Sequence, residues 1–152
     1  MSIDQTTPAP ARDHIVVGVD GSESSEQALR WAAFLARTTG ATLDAVAVWK
    51  PLAAYGSVGD WNPVEGLRAV VDETLAKVFG DQRPPGLEIV VREGGAARVL
   101  LEASRGARML VVGSRGHGGF AGLLLGSVSS ACAAHATCPV LVVHGATPPP
   151  PA

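Results

Sequence analysis

The sequence predicts an α/β domain built on a parallel sheet with helices on both faces. Three observations carry that prediction. Five short apolar runs, Ile15–Val19, Leu43–Val48, Leu87–Val91, Met109–Val112 and Val140–Val143, are rich in Val, Ile and Leu and alternate only weakly with polar residues. Runs of that length and character suit strands buried on both faces. Segments with helical spacing fill the gaps, giving the order β-α-β-α-β-α-β-α-β, and strands linked by helical crossovers run parallel with right-handed connections. Finally, 152 residues with 47% hydrophobic and 17% charged side chains can bury one core and make one domain.

The helices are legible from caps and periodicity. In residues 24–39, Ala28, Ala32, Leu35 and Ala36 share a face with Leu29 beside it; Gly40 follows as a stop, and Ser22, Ser24 and Ser25 are candidate N-caps. The second helix opens with Asn62 as cap, Pro63 at the first helical position and Glu65 placed for a capping box. Val64, Leu67, Val71, Leu75 and Val78 then recur at steps of three and four until Gly80. A shorter helix over 96–105 turns Val99, Leu100 and Ala103 inward and stops at Gly106. The last spans 127–136, with Ser127 as cap and Pro139 beyond its end. Residues 1–12, polar with Pro8 and Pro10, read as a flexible tail, and residues 145–152 (GATPPPPA) as a Pro-rich one, leaving 13–144 as the folded domain.

Composition excludes several classes. A net charge of -2 does not suit a protein living on nucleic-acid phosphates. No apolar run reaches the roughly 18–20 residues a membrane span needs, and the N-terminus has no secretory pattern, so a soluble cytoplasmic domain is the expectation. Cys132 and Cys138 lie six apart with no metal-ligand spacing, and read as packing residues of a reducing compartment.

In parallel sheets ligands bind beyond the carboxyl ends of the strands, where strand order reverses. The segments after Val19, Val48 and Val112 are therefore the places to search. The richest is Gly113–Ser130, whose glycines let main-chain N–H groups approach a ligand and whose Ser127 opens a helix, a ready anion site. Beyond Glu102 the chain has three arginines, three histidines and no carboxylate. The same pattern also suits a plain glycine-rich surface loop. It is not a P-loop, because no Gly-Lys pair exists, and Gly116-x-Gly118-x-x-Ala121 lacks the downstream acidic residue of a dinucleotide fingerprint. Asp20, at the end of the first strand, could meet ribose hydroxyls or a phosphate-bound metal, or simply start the turn into the first helix. Val48 could offer backbone to a base edge or be a buried strand residue, and the long connection Lys50–Trp61 suits a lid or an untidy loop.

At Asp20-Gly21-Ser22 and at Gly113-x2-Gly116-x9-Gly126-Ser127 the chain closely resembles the universal stress protein family, whose pattern is G-x2-G-x9-G-[ST]. The flanking MLVVGSRGHGG at 109–119 and Cys138–Val143 are similar to the family as well, and the likeness spans about 14–144. The resemblance implies a single-domain five-stranded parallel sheet of order 3-2-1-4-5, Rossmann-like and related to the adenine nucleotide alpha hydrolases. It implies ATP, with Mg²⁺, as cofactor. Carried over by position, Asp20 would sit by the ribose and phosphates, and Val48 would bond adenine through its backbone. Val112 and Gly113 would line the ribose side. Gly116, Gly126, Ser127, Val128 and Ser129 would hold the phosphates. Gly18, two before Asp20, stands where relatives often carry Pro or Ala and would loosen that wall. The family usually dimerises, which suits Val140–Val143, an apolar run at a sheet edge.

Several functions follow from these residues. The first is an ATP-binding regulatory or stress-response protein, with no catalytic residue assigned. A slow ATP hydrolase would need a positioned base and a cationic finger, for which Asp20, His117 and Arg115 are the candidates. A cyclic-AMP binder would use the same pocket, and an interaction module would leave it empty.

Overall fold

The computed structural model describes residues 13–51, 62–115, 125–145 and 147–151. The elements run β1 (His14–Gly18), α1 (Glu23–Thr39), β2 (Thr42–Trp49), α2 (Pro63–Phe79), β3 (Glu88–Glu93), α3 (Ala96–Ala103), β4 (Met109–Gly113), α4 (Ser127–His135) and β5 (Val140–Val143). All strand pairs are parallel and the sheet order is β3-β2-β1-β4-β5, as the resemblance implies.

Alternation along β1 divides the core. Ile15, Val17 and Val19 join α1 and α2 on one face, whereas Val16 joins Val99 and Leu100 of α3 and Cys132 of α4 on the other. Successive side chains of a strand point to opposite faces, so the central strand is apolar on both. The buried stripe of α1 is Ala28, Leu29, Ala32, Ala33 and Ala36. Four of these five are alanine, which brings the helix axis close to β1 and β4. Gly40 ends α1 in the left-handed region at φ 76°, a conformation that favours glycine.

Three sequence expectations shift by small amounts. Val64 is 40% exposed rather than inward, and the buried positions of α2 are Val71, Thr74 and Leu75. Only the later part of that helix lies on the sheet, so the apolar stripe outruns its partner. The N-cap of α4 is Gly126, with Ser127 as the first helical residue. The third helix stops two residues short of the expected 105, with Ser104 as its C-cap.

Asp13 and Arg108 form a two-pronged ion pair, with Nε and the second guanidinium nitrogen each 2.7 Å from a carboxylate oxygen. It joins the starts of β1 and β4, beside the Arg108 N–H bond to the His14 carbonyl at 2.8 Å. The guanidinium's hydrogen bond holds the Asp13 carboxyl below its ordinary range. Cys132 is fully buried, and that burial, with Cys138 adding to it, pushes the thiol up to about 11. A thiol so held stays protonated and unreactive near neutral pH, as a packing residue should.

Candidate functional site

The sheet opens at the point where its order reverses. The β1–β4 ladder ends at Val17↔Val111, while β4 continues beside β5 to Gly113↔Val143. On the other flank β2 overhangs β1. The β1–β2 register stops at Gly18↔Val46, but β2 stays paired with β3 as far as Trp49↔Glu93. Val46 presents its carbonyl to Val19 on the β1 side, and Trp49 presents its own to Gly94 on the β3 side. Backbone direction alternates along a parallel strand, so Val48 points its N–H and C=O toward the β1 side, at a level β1 has already left. A crevice walled by the ends of β2, β1 and β4 follows from these registers alone.

The first strand–helix turn is tied by its own side chains. The Asp20 carboxylate accepts from the Ser22 N–H at 2.9 Å and from the Ser22 hydroxyl at 2.5 Å. Ser22 in turn caps α1, its Oγ accepting from the Ser25 N–H at 3.2 Å. Asp20 therefore shapes the turn, and it stays exposed. Gly18 packs against the side chain of Leu100. A side chain there would meet Leu100 Cδ1 at 3.1 Å, so α3 already fills the space.

The junction of β4 and α4 is tied over a longer span. Gly113 is required by close packing, since a Cβ there would lie 2.8 Å from the carbonyl carbon and Cβ of Ser24. The start of α1 thus lies directly on the end of β4. Next in the chain, Ser114 makes three bonds. Its N–H donates to the Val143 carbonyl at 2.8 Å, and its carbonyl accepts from the Gly126 N–H at 2.7 Å and the Ser129 hydroxyl at 2.9 Å. Ser129 is buried and acts in this clasp. Ser127 is exposed at the opening of α4, and Val128 packs half-buried toward α3.

Gly126 carries no side chain with which to cap α4, and the first N–H groups of any helix lack intrahelical partners. A Cβ on Gly126 would make only ordinary contacts, the nearest 3.4 Å from the Ser114 carbonyl oxygen. The two outer glycines of the motif therefore differ: one lets two elements touch, the other puts no capping side chain at a helix end. Gly116 and His117, with Tyr55 and Trp61 of the long connection, lie outside the described residues. Arg115 is exposed beside the junction, its N–H 3.5 Å from Ser24 Oγ.

Sequence reasoning missed Ser24 and Ser114 as site builders. Ser24 looked like one of three possible caps, and Ser114 like filler between motif glycines. Only the fold, which sets them beside residues far along the chain, reveals them.

A cavity of about 870 Å³ lies along α1, lined by Ser24, Gln27, Arg30, Lys77, Arg115 and His144 among others. Among the described residues its lining includes Ser24, Ser114 and Arg115 beside the crevice but not Asp20, Val48 or Gly126. The crevice, fixed by strand register, lies instead where the order of the sheet reverses. Among the described residues no group of three or more His, Cys, Asp or Glu is placed to hold a metal ion.

A five-stranded parallel sheet of order 3-2-1-4-5, with a helix opening beside its switch point, defines a Rossmann-like α/β domain of the adenine nucleotide alpha hydrolase-like type. The chain belongs to the universal stress protein family, whose model matches residues 11–144. A universal stress protein of Mycolicibacterium smegmatis is 34% identical over 140 residues, which cover 86% of this chain and 48% of that protein. The chain thus spans about half the length of the curated relatives it matches. Among solved structures, UspA from Lactobacillus plantarum superposes with a TM-score of 0.70 at 20% identity, over 87% of this chain and 97% of the other. A universal stress protein solved in complex with cAMP superposes at 0.68 with 28% identity, over 88% and 97%. Among the described residues no helix is long and apolar enough to cross a membrane.

Proposed function

We propose that this domain binds an adenine nucleotide, ATP with Mg²⁺, in the crevice between β1 and β4, and serves as a regulatory stress-response protein. The observation that carries the reading is the N-terminus of α4, where the N-cap residue Gly126 has no side chain to occupy the first N–H groups, beside the point where β1 and β4 part. Its N–H groups and the helix dipole favour phosphate. Val112 and Gly113 would line the ribose side, Gly116 would hold the phosphates, and the Val48 backbone faces the level at which adenine would lie. Ser127 and Val128 donate through the backbone, while Ser129 positions the loop.

The donor set suits a metal ion carried by the nucleotide. Magnesium is commonly held by one or two carboxylates together with phosphates and water, and Asp20 is the carboxylate at this mouth. The domain acts by binding. Asp20 already has one oxygen engaged by Ser22, which leaves it poorly placed as a general base. β5 is a half-buried apolar edge, which supports a homodimer through Val140–Val143. A cytoplasmic location accords with the free cysteines. The cAMP complex of a 28%-identical relative supports a second reading, a cyclic-nucleotide binder using the same crevice.

Mass spectrometry of small molecules released from the purified protein, then calorimetric titration with ATP and cAMP, tests both. Micromolar ATP binding, weakened at least tenfold by Gly126→Val with the fold retained, is the expected result. Tighter cAMP binding selects the second reading. Unchanged ATP affinity in the variant rules the site out.

A further inference from the structure

The segment after β5 is held to the outside of α1. The Trp31 indole Nε1–H donates to the Thr147 carbonyl at 2.9 Å, across 116 positions of sequence. Trp31 and Phe34, three apart and so on one helix face, pack edge to face with ring centroids 6.1 Å apart at 84°. Their apolar bodies lie against the core on the α1 and α2 side for Trp31, and the indole N–H is left to find a partner in the solvent layer. What it finds is unusual in chemistry. Thr147 is followed by four prolines, Pro148–Pro151, with no charge from 145 to 152.

Prolines fix φ and lack N–H, so such a run extends as polyproline II with its carbonyls turned outward and unused. An aromatic surface with a fixed indole donor is the usual complement to that shape. Pro149 is half-buried although its neighbours Pro148 and Pro150 are exposed, the pattern of a segment lying on a surface. The root of the segment is equally fixed: Val143 bonds Ser114, and His144 and Gly145 form one wall of the cavity along α1.

We propose that the Trp31 edge of α1 is a polyproline-docking surface whose occupant is the chain's own segment Thr147–Pro151, and that this occupation closes the surface to other Pro-rich segments. The inference is independent of the nucleotide reading. A ligand tethered a few residues from its site has an effective concentration in the millimolar range, so an outside peptide must outcompete it.

The test compares the full chain with a chain ended at Gly145. The probe is a fluorescein-labelled peptide of residues 146–152, ATPPPPA, read by polarisation, with the Trp31 indole N–H resonance followed by NMR. The shortened chain should bind the peptide saturably and shift the indole signal toward its position in the full chain. The full chain should bind on the order of tenfold more weakly. A peptide with the four prolines replaced by alanine should not bind. Trp31→Phe in the shortened chain should abolish binding with little change in thermal midpoint. If the shortened chain does not fold, the full chain carrying Pro148→Gly, Pro149→Gly, Pro150→Gly and Pro151→Gly supplies the indole comparison. An indole resonance identical in the full and altered chains overturns the proposal, as does equal peptide binding by both. A full-chain indole position lost on dilution also overturns it, since the docking would then be between copies.

Discussion

Two strand–helix junctions stand side by side at the crevice and are built in opposite ways. The turn from β1 to α1 is closed by neighbours: Asp20 braces Ser22, Ser22 caps Ser25, and the Asp20 N–H reaches Ser25 Oγ at 3.4 Å, so none of these bonds spans more than five residues. The junction from β4 to α4 is closed at a distance. Gly126 and Ser129 return to Ser114 across 12 and 15 positions, and the helix that follows has no side-chain cap. The first arrangement satisfies its own helix end and leaves little to offer. The second fixes the base of a loop and puts a glycine, with no capping side chain, at the helix end. A binding crevice needs both, a rigid wall and an unsatisfied one.

Substitutions can break or sharpen that contrast. The largest effect is expected of Gly113→Ala, where the new methyl group meets the Ser24 backbone at 2.8 Å. Overpacking of that kind should cost about 1–3 kcal/mol in denaturant unfolding. A variant as stable as the parent would show that α1 and β4 do not touch there. Ser22→Ala removes the cap of α1 and should cost about 1 kcal/mol. Its effect on ATP affinity should stay within threefold, because the Asp20 carboxylate itself is retained. Ser129→Ala deletes one of two bonds to the Ser114 carbonyl, with an expected loss of about 0.5–1.5 kcal/mol. Calorimetry should find ATP affinity lowered together with stability, unlike the Ser22 variant. The smallest change in stability belongs to Gly126→Ser, which gives α4 the kind of cap α1 has. It should gain a few tenths of a kcal/mol. ATP affinity should fall nonetheless, since the new hydroxyl competes for the same N–H groups. A variant that binds better would place the anion elsewhere.

Much of this architecture was legible in residue order. Val140–Val143 and the caps Asn62 and Gly40 stand where periodicity and cap chemistry put them, because each is a local effect. The helix-by-helix errors have local causes too: Val64 continues the apolar spacing of α2 beyond the sheet that would bury it. The site was legible only in outline. Spacing identifies Gly113 and Gly126 as glycines that matter, but not that one meets Ser24 and the other frees a helix end. Nor does any pattern near Gly18 announce Leu100, some eighty residues on. Such contacts are set by strand register, which no single segment encodes.

The Ser114 clasp has a consequence for what binding must overcome. A loop that wraps a ligand normally loses freedom twice, once when its ends are brought together and again when its interior orders. Here the Gly126 N–H is already bonded to the Ser114 carbonyl, so the first loss belongs to folding. For a closure of this length the length-dependent part alone is roughly 2 kcal/mol. That is a factor of about thirty in affinity which a ligand held as proposed would not have to supply. Weakening the clasp would return that burden to the ligand, even though no atom touching it had changed.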